Sequence, residues 1–175
     1  MSDPVARPLP RWEPLGPQHD RAAFSCPRHP ELEAFLKYAA SQQAKRNVAV
    51  TTVMLIDSDQ AVGGYYTLSS TRIDIGDLPK ELAKKFPKYA EGIPATLIGR
   101  LAVDAKYLSK GWGGKLLMNA LAAARDASSS VASAFVIVRA IDDEAFRFYS
   151  HYGFVPFESD PRRLFLPMAT INKLK

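Results

Sequence analysis

The sequence predicts an α/β fold, a mixed and mostly antiparallel central sheet with one parallel βαβ unit and flanking helices. Three stretches carry that reading. Asn47 to Ile75 holds two strands rich in valine, threonine and tyrosine, which read as a hairpin. Leu97 to Ala140 runs as strand, glycine-rich loop, apolar-striped helix and strand. Such a sequence within one sheet closes as a right-handed crossover with its two strands parallel. Phe154 to Met168 supplies a last hairpin. With 175 residues, 47 % of them apolar, the chain is long enough to bury its own core. It divides into a flexible tail over residues 1–11 and a single domain over residues 12–175.

The tail is rich in proline and charge and lacks the apolar centre of a signal peptide. Trp12 to Leu15 reads as a first edge strand, ended by Gly16-Pro17. From Glu31, residues Leu32, Phe35, Leu36, Ala39 and Ala40 fall at helical spacing on one face. Lys45 and Arg46 close that helix, where cations complement the helix dipole or meet a substrate. Asn47 to Asp57 is apolar on both faces and reads as a central strand. A turn at Ser58-Asp59-Gln60 leads to a second strand, from Ala61 through Tyr65, Tyr66 and Leu68 to Ile75. Gly63-Gly64 inside it marks a bulge or a close backbone approach. Asp77 to Tyr89 reads as a short amphipathic helix with Leu78, Leu82 and Phe86 inward. Its lysines, Lys80, Lys84, Lys85 and Lys88, read first as a solvated face. Gly92-Ile93-Pro94 breaks this helix and opens the strand before the loop. The helix from Gly111 turns Leu117, Ala120, Leu121 and Ala124 inward and ends at Ser128-Ser129-Ser130. After the Ala134–Ala140 strand, a helix spans Asp142 to about Tyr152, with Asp142 as N-cap and Gly153 as its stop. Pro167 is expected near a sheet edge.

Composition narrows the partners. Cys26 is the single cysteine, which excludes an internal disulfide, fits a reducing compartment and reads as structural. The best apolar run, Val48 to Ile56, is interrupted by Thr51 and Thr52, so no membrane span is expected and the location is cytoplasmic. His19, His29 and His151 are too scattered for a metal site. A net charge of +5 leans towards an anionic partner.

The loop Lys106 to Lys115 is where an anion would bind. Gly111, Gly113 and Gly114 let a bulky group approach backbone N–H groups at a helix N-terminus, and Lys106, Lys110 and Lys115 add countercharge. The same glycines also suit a plain helix-start turn. The spacing is not that of a P-loop, and it is a poor dinucleotide fingerprint because Leu116 occupies the last position.

Further motifs narrow the reading. Arg100-Leu101-Ala102-Val103-Asp104, Lys110-Gly111-Trp112-Gly113, Ala140-Ile141-Asp142-Asp143-Glu144-Ala145 and Phe148-Tyr149-Ser150-His151-Tyr152-Gly153-Phe154 resemble the GNAT N-acetyltransferases. With Gly63-Gly64-Tyr65-Tyr66 and Leu164-Phe165-Leu166, the chain is most similar to the type II toxin–antitoxin toxins that acetylate aminoacyl-tRNA. The resemblance implies acetyl-CoA as cosubstrate and no metal. Its pantetheine would pair along Leu101, Ala102 and Val103, and its pyrophosphate would sit on the N–H groups of Ser109, Lys110, Gly111, Trp112, Gly113 and Gly114. Asp142 and Phe148 complete the implied cofactor contacts, although many relatives place asparagine where this chain has Asp142. The family's Gln/Arg-x-x-Gly-x-Gly/Ala pattern begins here with Leu108, which removes a polar side chain but no backbone donor.

Tyr149 falls where the family has the general acid that protonates the departing sulfur. Ala145, Phe148, Tyr149 and Tyr152 also share helical spacing, so periodicity alone makes Tyr149 a core residue. At neutral pH a lysine amine is uncharged in roughly one molecule in a few thousand, and an α-amine in about one in ten. No histidine or glutamate is placed as a general base, which favours an α-amine acceptor such as that of an aminoacyl-tRNA. Lys45, Arg46 and Arg100 are the substrate-side candidates, with Arg72, Lys80, Lys84, Lys85, Lys88, Arg162 and Arg163 as a wider cationic pool. Arg100, on an otherwise apolar strand, suits a substrate contact or a structural ion pair. The resemblance further implies a ribbon-helix-helix antitoxin and a homodimer. Two other readings stand beside it: an acetyltransferase of a protein N-terminus, a lysine or a small amine, and a non-catalytic module binding RNA or an antitoxin.

Overall fold

The computed structural model describes residues 9–57, 59–88 and 91–174. Most of the tail, Ser58 of the turn, and Tyr89 at the end of the predicted third helix lie outside the described residues. The elements are β1 (Arg11–Pro14), α1 (Pro30–Ala34), a π-helical turn (Phe35–Ala39), α2 (Ala40–Lys45), β2 (Val50–Leu55), β3 (Gly64–Ile73) and α3 (Lys80–Ala83). There follow β4 (Ile93–Val103), α4 (Trp112–Ser128), β5 (Phe135–Arg139), α5 (Asp143–His151), β6 (Val155–Pro156), β7 (Arg163–Pro167) and α6 (Met168–Ile171). The strands form one seven-stranded sheet in the order β1-β2-β3-β4-β5-β7-β6. β4 and β5 are parallel, and β1/β2, β5/β7 and β6/β7 are antiparallel. This is the mixed sheet with a parallel βαβ unit that the sequence predicts. The chain packs as two compact units, residues 1–67 with 100–117, and residues 68–99 with 118–175.

In the first unit the core joins Leu32, Phe35, Leu36 and Ala40 of the helix to Val53 and Leu55 of β2, Tyr65 of β3 and Ala102 of β4. The helical face is the predicted one, but its middle is a π turn. The extra residue per turn shifts the phase between α1 and α2 without leaving the core. The strand after it begins at Val50 rather than Asn47. Asn47 adopts a left-handed conformation with φ 55°, which an asparagine tolerates and which ends the helix. Gly63 and Gly64 mark the close approach their sequence suggests. A Cβ on Gly64 would lie 2.8 Å from Met54 Cε and 3.0 Å from the Ala102 carbonyl oxygen. Ladder pairing starts after them, so β3 opens at Gly64, and Ala61 forms only an isolated bridge with Asp20.

Two buried polar groups hold this unit's loops. His19 Nδ1 accepts from Gly16 N–H at 2.9 Å, so the ring proton is on Nε2, which donates to Glu13 at 2.7 Å. That hydrogen bond holds the Glu13 carboxyl below its ordinary range. Asp104, 2 % exposed, accepts from Ser25 N–H at 2.8 Å and from Lys106 N–H at 2.9 Å. Its own N–H donates to the Gly63 carbonyl at 2.9 Å.

In the second unit Ile73, Ile93, Ala95, Phe135, Ile137, Phe157 and Phe165 form the core, with Leu78, Leu82 and Phe86 against it. The predicted helix over 77–89 contracts to Lys80–Ala83, because Pro79 sits at its N-cap and Pro87 lies just beyond its last turn. Its apolar side still faces inward. β7 lies between β5 and β6, but the β6–β7 register ends at Val155↔Phe165, two residues short of Pro167, which therefore lies near an edge as expected. It is tolerated as the last residue of the ladder, opposite Phe135, and it caps α6, a helix the sequence reading does not foresee.

Replacing Asp104 by alanine strands the Ser25 and Lys106 N–H groups, and should cost about 2–4 kcal/mol of stability. Urea unfolding of Asp104→Ala against the wild type measures it.

Candidate active site

The first unit carries the glycine loop that the sequence reads as an anion site. The β4–β5 ladder registers only from Ala95↔Phe135 to Leu97↔Ile137, while β4 runs on to Val103. Leu101, Ala102 and Val103 therefore extend past the end of the ladder, and this edge of β4 can accept another extended chain. Asp104 then caps a 3-10 turn, Ala105–Tyr107, and the chain passes through Leu108 into the loop. Ser109 and Gly111 have left-handed backbones, φ 60° and 81°. Such alternation turns successive N–H groups inward as an anion-binding nest. Among the described residues, the N–H groups of Ser109 to Gly114 bond to no backbone carbonyl. The helical bonding of α4 opens with Lys115 N–H to Gly111 O at 3.4 Å. The N–H groups of the α4 start follow directly, where the helix dipole favours an anion.

The side chains here do less than the backbone. Trp112 is buried, so its ring anchors the helix and only its N–H is available. Lys115 lies over that ring at 4.5 Å and Lys106 over Tyr107 at 5.5 Å. Lys110 and Leu108 are exposed, so Leu108 costs the cradle nothing but a polar contact. The Tyr107 hydroxyl donates to Asp57, and burial together with that carboxylate pushes its phenol up to about 12. A strand edge for an amide chain and a nest for phosphates fit the pantetheine and pyrophosphate of acetyl-CoA.

Lys45 and Arg46, at the C-terminal end of α2, are exposed. Arg100 makes no ion pair among the described residues; its guanidinium lies 3.7 Å from the centroid of the Phe35 ring. Cys26 packs against the core, and burial pushes its thiol up, as a structural cysteine requires.

The second unit holds the remaining predicted residues. Asp142 Oδ1 accepts from Ala145 N–H at 2.7 Å, so its carboxylate caps α5. Tyr149 is 7 % exposed, edge-on to Phe148 at 5.2 Å and to Phe154 at 5.5 Å. Burial raises its phenol far above the ordinary range. Its hydroxyl has no hydrogen-bond partner among the described residues. Phe148 is wedged between Tyr149 and Tyr152, and His151 is exposed. Sequence reasoning missed a cleft of about 280 Å³ where β4 and β5 part, lined by Thr71, Leu97, Gly99, Ile137, Arg139 and Arg163. Arg139 and Arg163 face each other in the β5–β7 register and are held by Asp160 at 2.6 Å and Asp77 at 3.9 Å. Four strands, β3, β4, β5 and β7, supply these groups, and only the strand order unites them.

No protein-family model matches the sequence. The chain is 35 % identical over 170 residues to the "Probable toxin TacT" of Sinorhizobium fredii, covering 93 % of each chain. It is 34 % identical over 116 residues to the "tRNA-acetylating toxin" of Mycobacterium tuberculosis, covering 66 % of this chain and 68 % of that one. Among solved structures, a tyrosine-to-phenylalanine variant of KacT superposes with a TM-score of 0.87 at 27 % identity, over 95 % of this chain and 99 % of that one. AtaT complexed with acetyl-methionyl-tRNAfMet gives 0.85 at 28 %, over 94 % and 98 %. An AtaT variant bound to the C-terminus of the antitoxin AtaR and acetyl-CoA gives 0.76 at 26 %, over 93 % and 96 %. With this identity across nearly the whole of a relative, and a seven-stranded sheet matching those of KacT and AtaT, the chain belongs to the tRNA-acetylating toxins of the GNAT fold.

Proposed function

We propose that this chain is an acetyl-CoA-dependent N-acetyltransferase toxin that acetylates the α-amino group of an aminoacyl-tRNA and so blocks translation. The observation that carries the reading is the open edge of β4 running into a nest of unpartnered N–H groups. Residues 12–175 act as one acetyltransferase domain. Leu101, Ala102 and Val103 pair with the pantetheine arm. The N–H groups of Ser109 to Gly114 hold the pyrophosphate, with Lys110 adding countercharge. Phe148 lends an apolar contact, and Asp142 serves through the cap that starts α5. When bound, acetyl-CoA supplies the acetyl group as a thioester.

Tyr149 holds a proton at its hydroxyl for the departing sulfur. Its raised phenol keeps that proton throughout the range in which an α-amine, near pKa 8, loses its own. A thiol near pKa 8.5 needs little more than a hydrogen bond as charge develops. No base is assigned among the described residues, and in this reading the acceptor arrives with a neutral amine, as an aminoacyl ester can. Lys45, Arg46 and Arg100 face the RNA. In the same reading the toxin works in the cytoplasm as a homodimer and is neutralised by a cognate antitoxin of the ribbon-helix-helix type.

Labelled acetyl-CoA incubated with charged tRNA, deacylated tRNA and protein substrates tests the acceptor. Label is expected on charged tRNA only, and label on protein lysines instead overturns it. Tyr149→Phe keeps the ring packing and should lower acetyl transfer by about 100-fold or more and abolish growth arrest, with acetyl-CoA affinity unchanged by calorimetry. The wild-type rate should rise to a plateau as the amine deprotonates and show no alkaline fall below about pH 10. Gly111→Val forces a branched residue into a left-handed backbone and should weaken acetyl-CoA binding by about 10-fold or more in the same calorimetry.

A further inference from the structure

Arg100 is the one charged residue of β4, and its surroundings are unusual. Its guanidinium carbon lies over the face of Phe35, 3.7 Å from the ring centroid. Phe35 in turn stacks on Tyr65, with centroids 6.1 Å apart and planes 22° apart. Phe24 meets Tyr65 edge-on at 5.6 Å, and the Tyr65 hydroxyl donates to the Leu32 carbonyl at 2.5 Å. The π turn carries Phe35 itself. The guanidinium therefore rests on a cluster of buried rings, Phe35, Tyr65 and Phe24.

The hydrogen-bond donors of that guanidinium are unused. Among the described residues, the half-buried arginines are Arg21, Arg100, Arg125 and Arg163. Arg21 donates to the Leu36 carbonyl and to Ser41, Arg125 pairs with Asp126, and Arg163 pairs with Asp77. Arg100 alone makes neither a hydrogen bond nor an ion pair. A guanidinium has five N–H donors, and removing part of it from water without acceptors is costly. A stack on one ring returns only part of that cost. A pre-set planar fork with idle donors is suited to an oxyanion with two coplanar oxygens.

We propose that Arg100 is the clamp for one phosphodiester of the single-stranded acceptor end of the tRNA, gripped by both prongs of the fork while Phe35 holds the plane. This rests on the reading of the chain as an aminoacyl-tRNA acetyltransferase. That substrate brings a flexible single strand whose phosphates are open on all sides. The pyrophosphate of the cosubstrate has its own donors in the loop, so a second phosphate site serves the second substrate. Arg100 is thus a binding and positioning residue, and a lysine there would keep the charge but lose the fork and the stack.

Two measurements test it separately from the reaction. The first is binding of a fluorescent single-stranded RNA ending in CCA, titrated across salt concentrations, for the wild type, Arg100→Lys, Arg100→Gln and Phe35→Leu. Neutralising one single-strand phosphate contributes a slope of about 0.7 in log affinity against log salt. Arg100→Gln should lose about that much slope. Arg100→Lys and Phe35→Leu should keep it but bind about fivefold or more weaker. The second is acetylation of a charged tRNA pool against an amino-acid methyl ester, which has no phosphate. Arg100→Lys should raise KM for charged tRNA about 10-fold with kcat within twofold, and leave the ester rate and acetyl-CoA affinity unchanged. An unchanged salt slope in Arg100→Gln overturns the clamp. So does an equal loss on the methyl ester, or weakened acetyl-CoA binding. Loss confined to binding of an antitoxin peptide overturns it too, and makes the ligand a carboxylate. If the RNA slope depends on Arg100 but charged tRNA is never acetylated, the clamp stands and the proposed acceptor fails.

Discussion

The first unit depends on one buried carboxylate. Asp104 stands at the junction of β4 and the loop, and its three hydrogen bonds reach Ser25, Lys106 and, through its own N–H, Gly63. Each partner belongs to a different segment: the loop before α1, the turn leading to the nest, and the start of β3. A buried charge is stable only when its oxygens are bonded, so these segments are fixed together or not at all. The nest therefore inherits its position from β4 rather than from its own sequence, which is short of side-chain contacts. This explains how a loop carrying Leu108 and exposed lysines still presents an ordered set of N–H groups.

The two units solve opposite electrostatic problems. In the proposed reading the loop would stabilise several negative charges with backbone dipoles, which need no protonation and do not titrate. Tyr149 would instead retain a proton against alkali, and burial among aromatic rings raises its phenol without any charged neighbour. A carboxylate beside Tyr149 would also raise the phenol, but it would compete for the proton. Tyr107 is the contrast within the same chain. Its hydroxyl is spent on Asp57, so its raised phenol has a structural cause and offers nothing to a ligand.

Where periodicity and local chemistry decide the outcome, the sequence is readable. The parallel crossover, the Asp142 cap, the Gly153 stop with φ 91° and the inward face of α4 follow from spacing and backbone sterics alone. The glycine loop is visible as an anion site, and the motifs around it as a family. What spacing does not encode is less visible. A π turn needs one extra residue, and a mixed run of apolar and small residues absorbs it without a signal. Pro79 and Pro87 outweigh a helical pattern over 77–89 because local dihedral limits override amphipathicity. The insertion of β7 between β5 and β6 is a topological choice. It assembles Arg139 with Arg163, which no linear motif could announce. Arg100 is halfway: an arginine on an apolar strand is conspicuous, but its lack of an ion pair appears only with the fold.

The short β4–β5 ladder has a consequence for how this protein behaves when empty. Beyond Leu97↔Ile137 the edge of β4 is a row of peptide groups in extended form, and such rows recruit any strand that reaches them. A site shaped to be completed by a chain-like cosubstrate is also a template for unwanted self-association. In the proposed reading, a cosubstrate paired along this edge would cover it as well as react, and would stabilise the folded chain by mass action.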